Sequence, residues 1–173
     1  MPWTPLRPQS KRSAATAIAA ATAAGIRVAI GHTAASREVI EEAVSAGARL
    51  STHLGNGSHG MLPRLDNYVQ TQLADDRLVA SFIADGHHLP WGTLKNFLRA
   101  KTLKRSILVT DAVAAADAPA GTCTLGEQEL EVRADGLVRI PGQSNLAGSS
   151  LTLDRAVLGV TTHCGVPFAD AWA

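Results

Sequence analysis

Three short apolar runs each end in a side chain able to bind a metal or carry a proton. Val28-Ala29-Ile30-Gly31 leads into His32, Leu50-Ser51-Thr52 into His53, and Ile107-Leu108-Val109-Thr110 into Asp111. Between the first two runs lies a helix-length stretch, Arg37 to Ala46, with Ser36 placed to cap it, Glu38 near its start and Gly47 to stop it. Strand, helix and strand joined this tightly imply parallel neighbours. In parallel α/β barrels the C-terminal strand ends carry the reactive groups, because the strand fixes the side chain while the following loop admits a ligand. Two neutral imidazoles with a nearby carboxylate are the makeup of a metal-assisted hydrolase, and they suit zinc or iron.

The rest of the chain extends this pattern. Ser13 to Ala24 reads as an Ala-rich helix stopped by Gly25, and Ile26 to Gly31 and Ala48 to Thr52 as buried strands. Gly55 to Asn67, with its glycines and asparagines, reads as a long loop of the kind that holds binding residues. Leu78 to Ala84 is the third strand, Pro90 to Ala100 a helix with proline in its first turn, and Ser106 to Thr110 the fourth strand. From Thr122 to Ile140 short β-like runs are broken by Gly126, Asp135-Gly136 and Pro141-Gly142, the texture of hairpins. Leu151 to Cys164 returns to helix. Four regions follow: a leader and helix over 1–24, a barrel portion over 25–120, a β-sandwich segment over 121–150 and a returning helix over 151–173.

Charge and composition exclude several functions. The formal net charge is +1, from 16 basic and 15 acidic residues, so nothing draws the chain toward nucleic acid or an anionic membrane surface. No apolar run is long enough to span a membrane. Lys11-Arg12 before an Ala-rich stretch imitates an export signal, but Ala and Thr are weakly hydrophobic and Gly25 leads straight into a strand. Cys123 and Cys164 lack ligand-like spacing, which favours a reduced, cytoplasmic setting. Gly31 and Gly148 belong to no phosphate-cradling motif, so nucleotide binding has no support. The implied partner is a small molecule, with a homo-oligomer left open.

Five stretches occur together in one order: Ile30-Gly31-His32-Thr33, Ala48 to Leu54 with Asn56, Ile83 to His88, Leu108 to Ala112, and Leu146-Ala147-Gly148-Ser149. In this order and spacing they resemble the amidohydrolase superfamily, and within it the N-acetylglucosamine-6-phosphate deacetylases, from about residue 25 to the end. The resemblance implies a TIM-like α/β barrel with a small β-sandwich, of which this chain would carry roughly the last four barrel strands. It implies His32 and His53 as ligands of a divalent metal, zinc or iron, and Asp111 as the catalytic acid/base. It further implies that His88, Asn56, Gly57, Arg64, Leu146 and Ala147 contact an N-acetylated amino sugar phosphate.

Two features depart from the family pattern. The family's remaining metal ligand is a glutamate well upstream of the first histidine, and the 31 residues before His32 contain no acidic side chain. The loop Leu54-Gly55-Asn56-Gly57-Ser58-His59-Gly60 lacks the bulky residue and Asn-Ala pair usual there. The chain is therefore expected to be the C-terminal part of such an enzyme, a fragment inactive alone. Its rivals are an amidohydrolase of another N-acyl amine or cyclic amide, and a catalytically dead structural partner. Other expectations are local. Of the adjacent pair His87 and His88, the second is expected to face the site, while His59 and His163 read as loop or surface residues. Arg64 could instead pair with Asp66, Leu146 to Ser149 could be a turn, and Trp3, Trp91 and Trp172 read as packing residues.

Overall fold

The computed structural model describes residues 8–143 and 145–173, a mixed α/β chain. In order it forms α1 (Pro8–Ala23), β1 (Ala29–Ile30), α2 (Arg37–Ser45), β2 (Leu50–Ser51), α3 (Tyr68–Ala74), β3 (Val79–Ile83), α4 (Trp91–Lys101) and β4 (Ser106–Val109). Then come β5 (Gly121–Leu125), β6 (Gln128–Val132), β7 (Leu137–Arg139), β8 (Leu146–Ser149), α5 (Leu153–Gly159) and α6 (Phe168–Trp172). Strands β1 to β4 form one sheet in chain order, with β1–β2 and β2–β3 parallel, and β5 to β8 form a second. The chain divides into two compact units, one running to Ser81 with Ala100–Ser106, the other comprising Phe82–Arg99 and Ile107–Ala173.

In the first unit, Ile40 and Val44 lie one turn apart on α2, so both meet the same neighbour, Leu78, with Ile30, Ala35 and Tyr68 around them. Burying each such aliphatic side chain contributes about 1.5–3 kcal/mol. Helix α2 begins at Ser36, but its hydroxyl bonds the Glu38 carboxyl instead of capping the backbone. The cap falls to the Glu38 charge beside the helix's positive end. Lys101 is wholly buried, and its ammonium donates to the carbonyls of Asp75 at 2.6 Å and Leu78 at 2.9 Å. It thereby ties the end of α3 to the start of β3.

In the second unit, β5 to β8 are antiparallel neighbours. Leu130, Val132 and Val138 bury one face with Ala115, and Val113, Cys123, Ile140 and Ala147 pack around them. The β5–β6 hairpin turns through Gly126, whose φ of +62° is left-handed. Elsewhere in this unit the Trp91 ring lies against two glycines. A Cβ at Gly86 would stand 2.6 Å from it and one at Gly159 2.5 Å, so both positions exclude a side chain.

Several sequence expectations need correction. Helix α1 starts before the expected Ser13, with Pro8 at its first position where a missing N–H costs nothing. Trp3 lies outside the described residues. Helix α3 follows the long loop at a place where no bounds could be read from sequence; Asn67 Oδ1 caps it by accepting from the N–H groups of Val69 and Gln70. Leu146 to Ser149 is a strand rather than a turn, because a bridge between Ala112 and Ser149 and the pairing with β7 satisfy its backbone. Leu151 to Cys164 is helical from Leu153, but α5 passes at Val160 into a wider π turn that stops at Gly165 with φ +74°. Trp172 is exposed, with its ring stacked on Phe168.

Candidate functional site

Each strand of the first sheet places a chemically useful residue two positions beyond its last residue. Ile30 is followed by His32, Ser51 by His53, Ile83 by Asp85 and Val109 by Asp111. Three of the four leave the extended conformation with positive φ, +43° at His32, +30° at His53 and +47° at Asp111. Side chains with a Cβ adopt that region at a cost, and such strain gathers where a group must be aimed rather than packed.

In the first unit the two histidines meet. Their ring centroids are 4.6 Å apart, edge to face at 67°. His53 is buried and His32 exposed. The backbone beneath them is held by the sheet: Thr52 N–H donates to the Ile30 carbonyl, and Leu54 N–H to the Ser81 carbonyl. His53 N–H donates to Ser81 Oγ at 2.7 Å, and that hydroxyl donates to the Ser51 carbonyl at 3.3 Å. Asn56 lies in the turn after His53, its N–H on the His53 carbonyl. Gly57, at φ +62°, comes so close to His32 that a Cβ would sit 2.9 Å from the ring. Farther along this loop Arg64 is exposed, and Asp66 pairs with Arg37 at 2.7 Å rather than with it. His59 is in the loop as expected; its backbone N–H donates to the Tyr68 hydroxyl at 2.9 Å, and that hydroxyl also meets His59 Nδ1 at 2.9 Å.

In the second unit Asp111 is joined to the segment holding Leu146 and Ala147. The Ala112–Ser149 bridge and the Val113 N–H bond to the Ser149 carbonyl bind the two stretches together. Ala147 also packs on the sheet core. The adjacent histidines take different partners. His87 Nε2 meets the Asp135 carbonyl at 3.0 Å, while His88 Nδ1 meets Asp85 Oδ2 at 2.6 Å. His163 is exposed, with its ring stacked on Trp91 at 4.5 Å.

Asp85 is the residue that sequence reasoning passed over. Its Oδ1 accepts from the N–H groups of both His87 and His88, each at 2.9 Å, while Oδ2 holds the His88 ring. Burial acts to raise the Asp85 pKa, but the hydrogen bond and charge of His88, with those two N–H groups, outweigh it, and the carboxyl sits below its ordinary range. The available signal was its place two residues past a strand, shared with His32, His53 and Asp111.

The edge-to-face contact brings together two imidazoles, a ligand type that zinc and iron accept. Among the described residues no group of three or more His, Cys, Asp or Glu side chains is gathered for a metal, so the donor set is partial.

Compared with known proteins, the chain is 35% identical to an N-acetylglucosamine-6-phosphate deacetylase of Vibrio furnissii over 162 residues, 94% of this chain and 40% of that protein. It is 42% identical to the Bos taurus enzyme of the same name over 149 residues, 81% of this chain and 35% of that one. A crystal structure of the N-acetyl-D-glucosamine-6-phosphate deacetylase from Mycobacterium smegmatis superposes with a TM-score of 0.80 at 30% identity, covering 91% of this chain and 41% of the other. This chain is a homologue of the N-acetylglucosamine-6-phosphate deacetylases. It spans about 40% of the length of the relative from Vibrio furnissii. An N-acetylgalactosamine-6-phosphate deacetylase of Escherichia coli O157:H7 is also similar, at 36% identity over 84% of this chain and 38% of its own length. No family model matches the sequence.

Proposed function

We propose that the chain contributes metal-ligand and proton-transfer residues to hydrolysis of the acetamide of N-acetylglucosamine 6-phosphate, giving glucosamine 6-phosphate and acetate. The observation that carries this reading is the close pair His32 and His53, both on strand ends, in a chain homologous to deacetylases of that substrate. In this reading residues 25–120 are part of a TIM-like barrel, and 121–150 part of its small sandwich.

His32 and His53 would hold the divalent metal, which when bound lowers the pKa of water toward neutrality and supplies a nucleophile. The Asp111 carboxylate takes a proton from the attacking water and returns it to the amine nitrogen as the C–N bond breaks, because an unprotonated amine leaves poorly. His88, Asn56, Leu146 and Ala147 contact the sugar, and the Arg64 guanidinium takes the phosphate through paired hydrogen bonds. Gly57 adds a backbone N–H. The free thiols Cys123 and Cys164 accord with a reduced, cytoplasmic setting.

A second reading rests on the partial donor set: with two imidazoles and, among the described residues, no third ligand gathered beside them, the chain serves as a structural partner rather than a catalyst. Acetate release and zinc content separate the two. Deacetylation of N-acetylglucosamine 6-phosphate that depends on added zinc or iron and is lost in Asp111→Asn supports the enzyme. Zinc-independent behaviour with no acetate release supports the partner. Running N-acetylgalactosamine 6-phosphate in parallel reports whether the sugar's C4 configuration matters, and a panel of other N-acyl amines and cyclic amides tests a changed substrate.

A further inference from the structure

Asp85 and His88 form a nearly closed pair, with side chains 10% and 4% exposed and Nδ1 2.6 Å from Oδ2. The two oxygens of Asp85 do separate jobs. Oδ1 is pinned by the N–H groups of His87 and His88, which shape the turn, and Oδ2 alone meets the ring. An ionised carboxylate only accepts, so the proton between them belongs to Nδ1. The neutral His88 ring is then the Nδ1–H tautomer, and Nε2, on the opposite edge, is a bare acceptor.

We propose that Asp85 is a positioning residue that fixes His88 in the Nδ1–H tautomer, so that Nε2 accepts a hydrogen bond donated by a hydroxyl or amide N–H of the bound sugar. This rests on the reading of His88 as a substrate contact. The lowered Asp85 pKa keeps the carboxyl ionised and agrees with that assignment of the proton.

The discriminating variant is Asp85→Asn. Its amide oxygen is held at the Oδ1 position by the same two backbone donors, so the turn survives. The amide NH2 then occupies the Oδ2 position and donates to Nδ1, which forces the proton to Nε2. Long-range 15N–1H correlation spectra of the histidine-labelled chain, recorded on the neutral ring, should show His88 as Nδ1–H in the parent and Nε2–H in Asp85→Asn. A parent ring in the Nε2–H form, or a tautomer unchanged by the substitution, overturns the assignment of Asp85. Titration with N-acetylglucosamine 6-phosphate gives the second readout. An amide N–H would then face a second donor, and a hydroxyl would have to reverse its hydrogen bond, so binding in Asp85→Asn should weaken by roughly 10-fold or more. If the tautomer inverts as expected but the sugar phosphate leaves the His88 signals unmoved in the parent, Asp85 still orients the ring, and it is the substrate contact of His88 that fails.

Discussion

Gly57 leaves only 2.9 Å between the place where a Cβ would stand and the imidazole of His32. The loop after β2 therefore closes over the histidine that follows β1, and only glycine permits both the approach and the φ of +62°. Gly57→Ala should cost about 1 kcal/mol in stability from the backbone conformation and should displace the exposed His32 ring. The expected outcome is a Tm lowered by a few degrees with zinc binding weakened disproportionately. Calorimetric titration with zinc beside thermal melts checks it; unchanged zinc affinity would separate the loop from the histidine pair.

Gly148 carries a heavier constraint. Its φ is +134°, and a Cβ there would fall 2.5 Å from Val113 Cγ1, in the seam that ties the Asp111 segment to β8. Gly148→Ala should destabilise the chain by about 2–3 kcal/mol, combining backbone strain with overpacking. Denaturant unfolding with an unchanged m-value measures it, and the double variant with Val113→Ala should recover part of the loss.

Lys101 is buried with its ammonium on two carbonyls. Lys101→Met keeps much of the side-chain volume but leaves the Asp75 and Leu78 carbonyls without that donor. A loss of about 1–3 kcal/mol is expected, with faster amide exchange at the start of β3. Retention of parent stability would mean that water replaces the ammonium freely.

Asp85 sets an acid dependence. Its native pKa lies below the ordinary 3.8, so the folded chain binds this proton less readily than the unfolded one. The stability it adds is fully present above the unfolded value and is lost as pH falls through 3.8 toward the lower native value. Urea melts between pH 6 and 3 should therefore show Asp85→Asn losing stability relative to the parent at pH 6, with the gap narrowing toward pH 3. A constant gap would place the effect in packing instead of charge.

The sequence alone located His32, His53 and Asp111 at strand ends, because an apolar run followed by a polar residue is a local signal that burial itself writes. Gly25 and Gly47 likewise marked helix ends, and both adopt positive φ. Local pattern was silent where distant chain segments decide the outcome. Leu146 to Ser149 is a strand because β7 and Ala112 pair with it, and no periodicity within four residues records that pairing. The bounds of helix α3 were not legible, because its cap, Asn67, sits at the end of a glycine-rich loop that masks the start signal. The meeting of the two imidazoles at 4.6 Å, the pressing of Gly57 on His32 and the grip of Asp85 on His88 are set by tertiary approach. Residue type and spacing determined which groups stand at the strand ends; the parallel register and the turns beyond it decided which of them touch, since direction in space is fixed only once neighbouring strands have bonded.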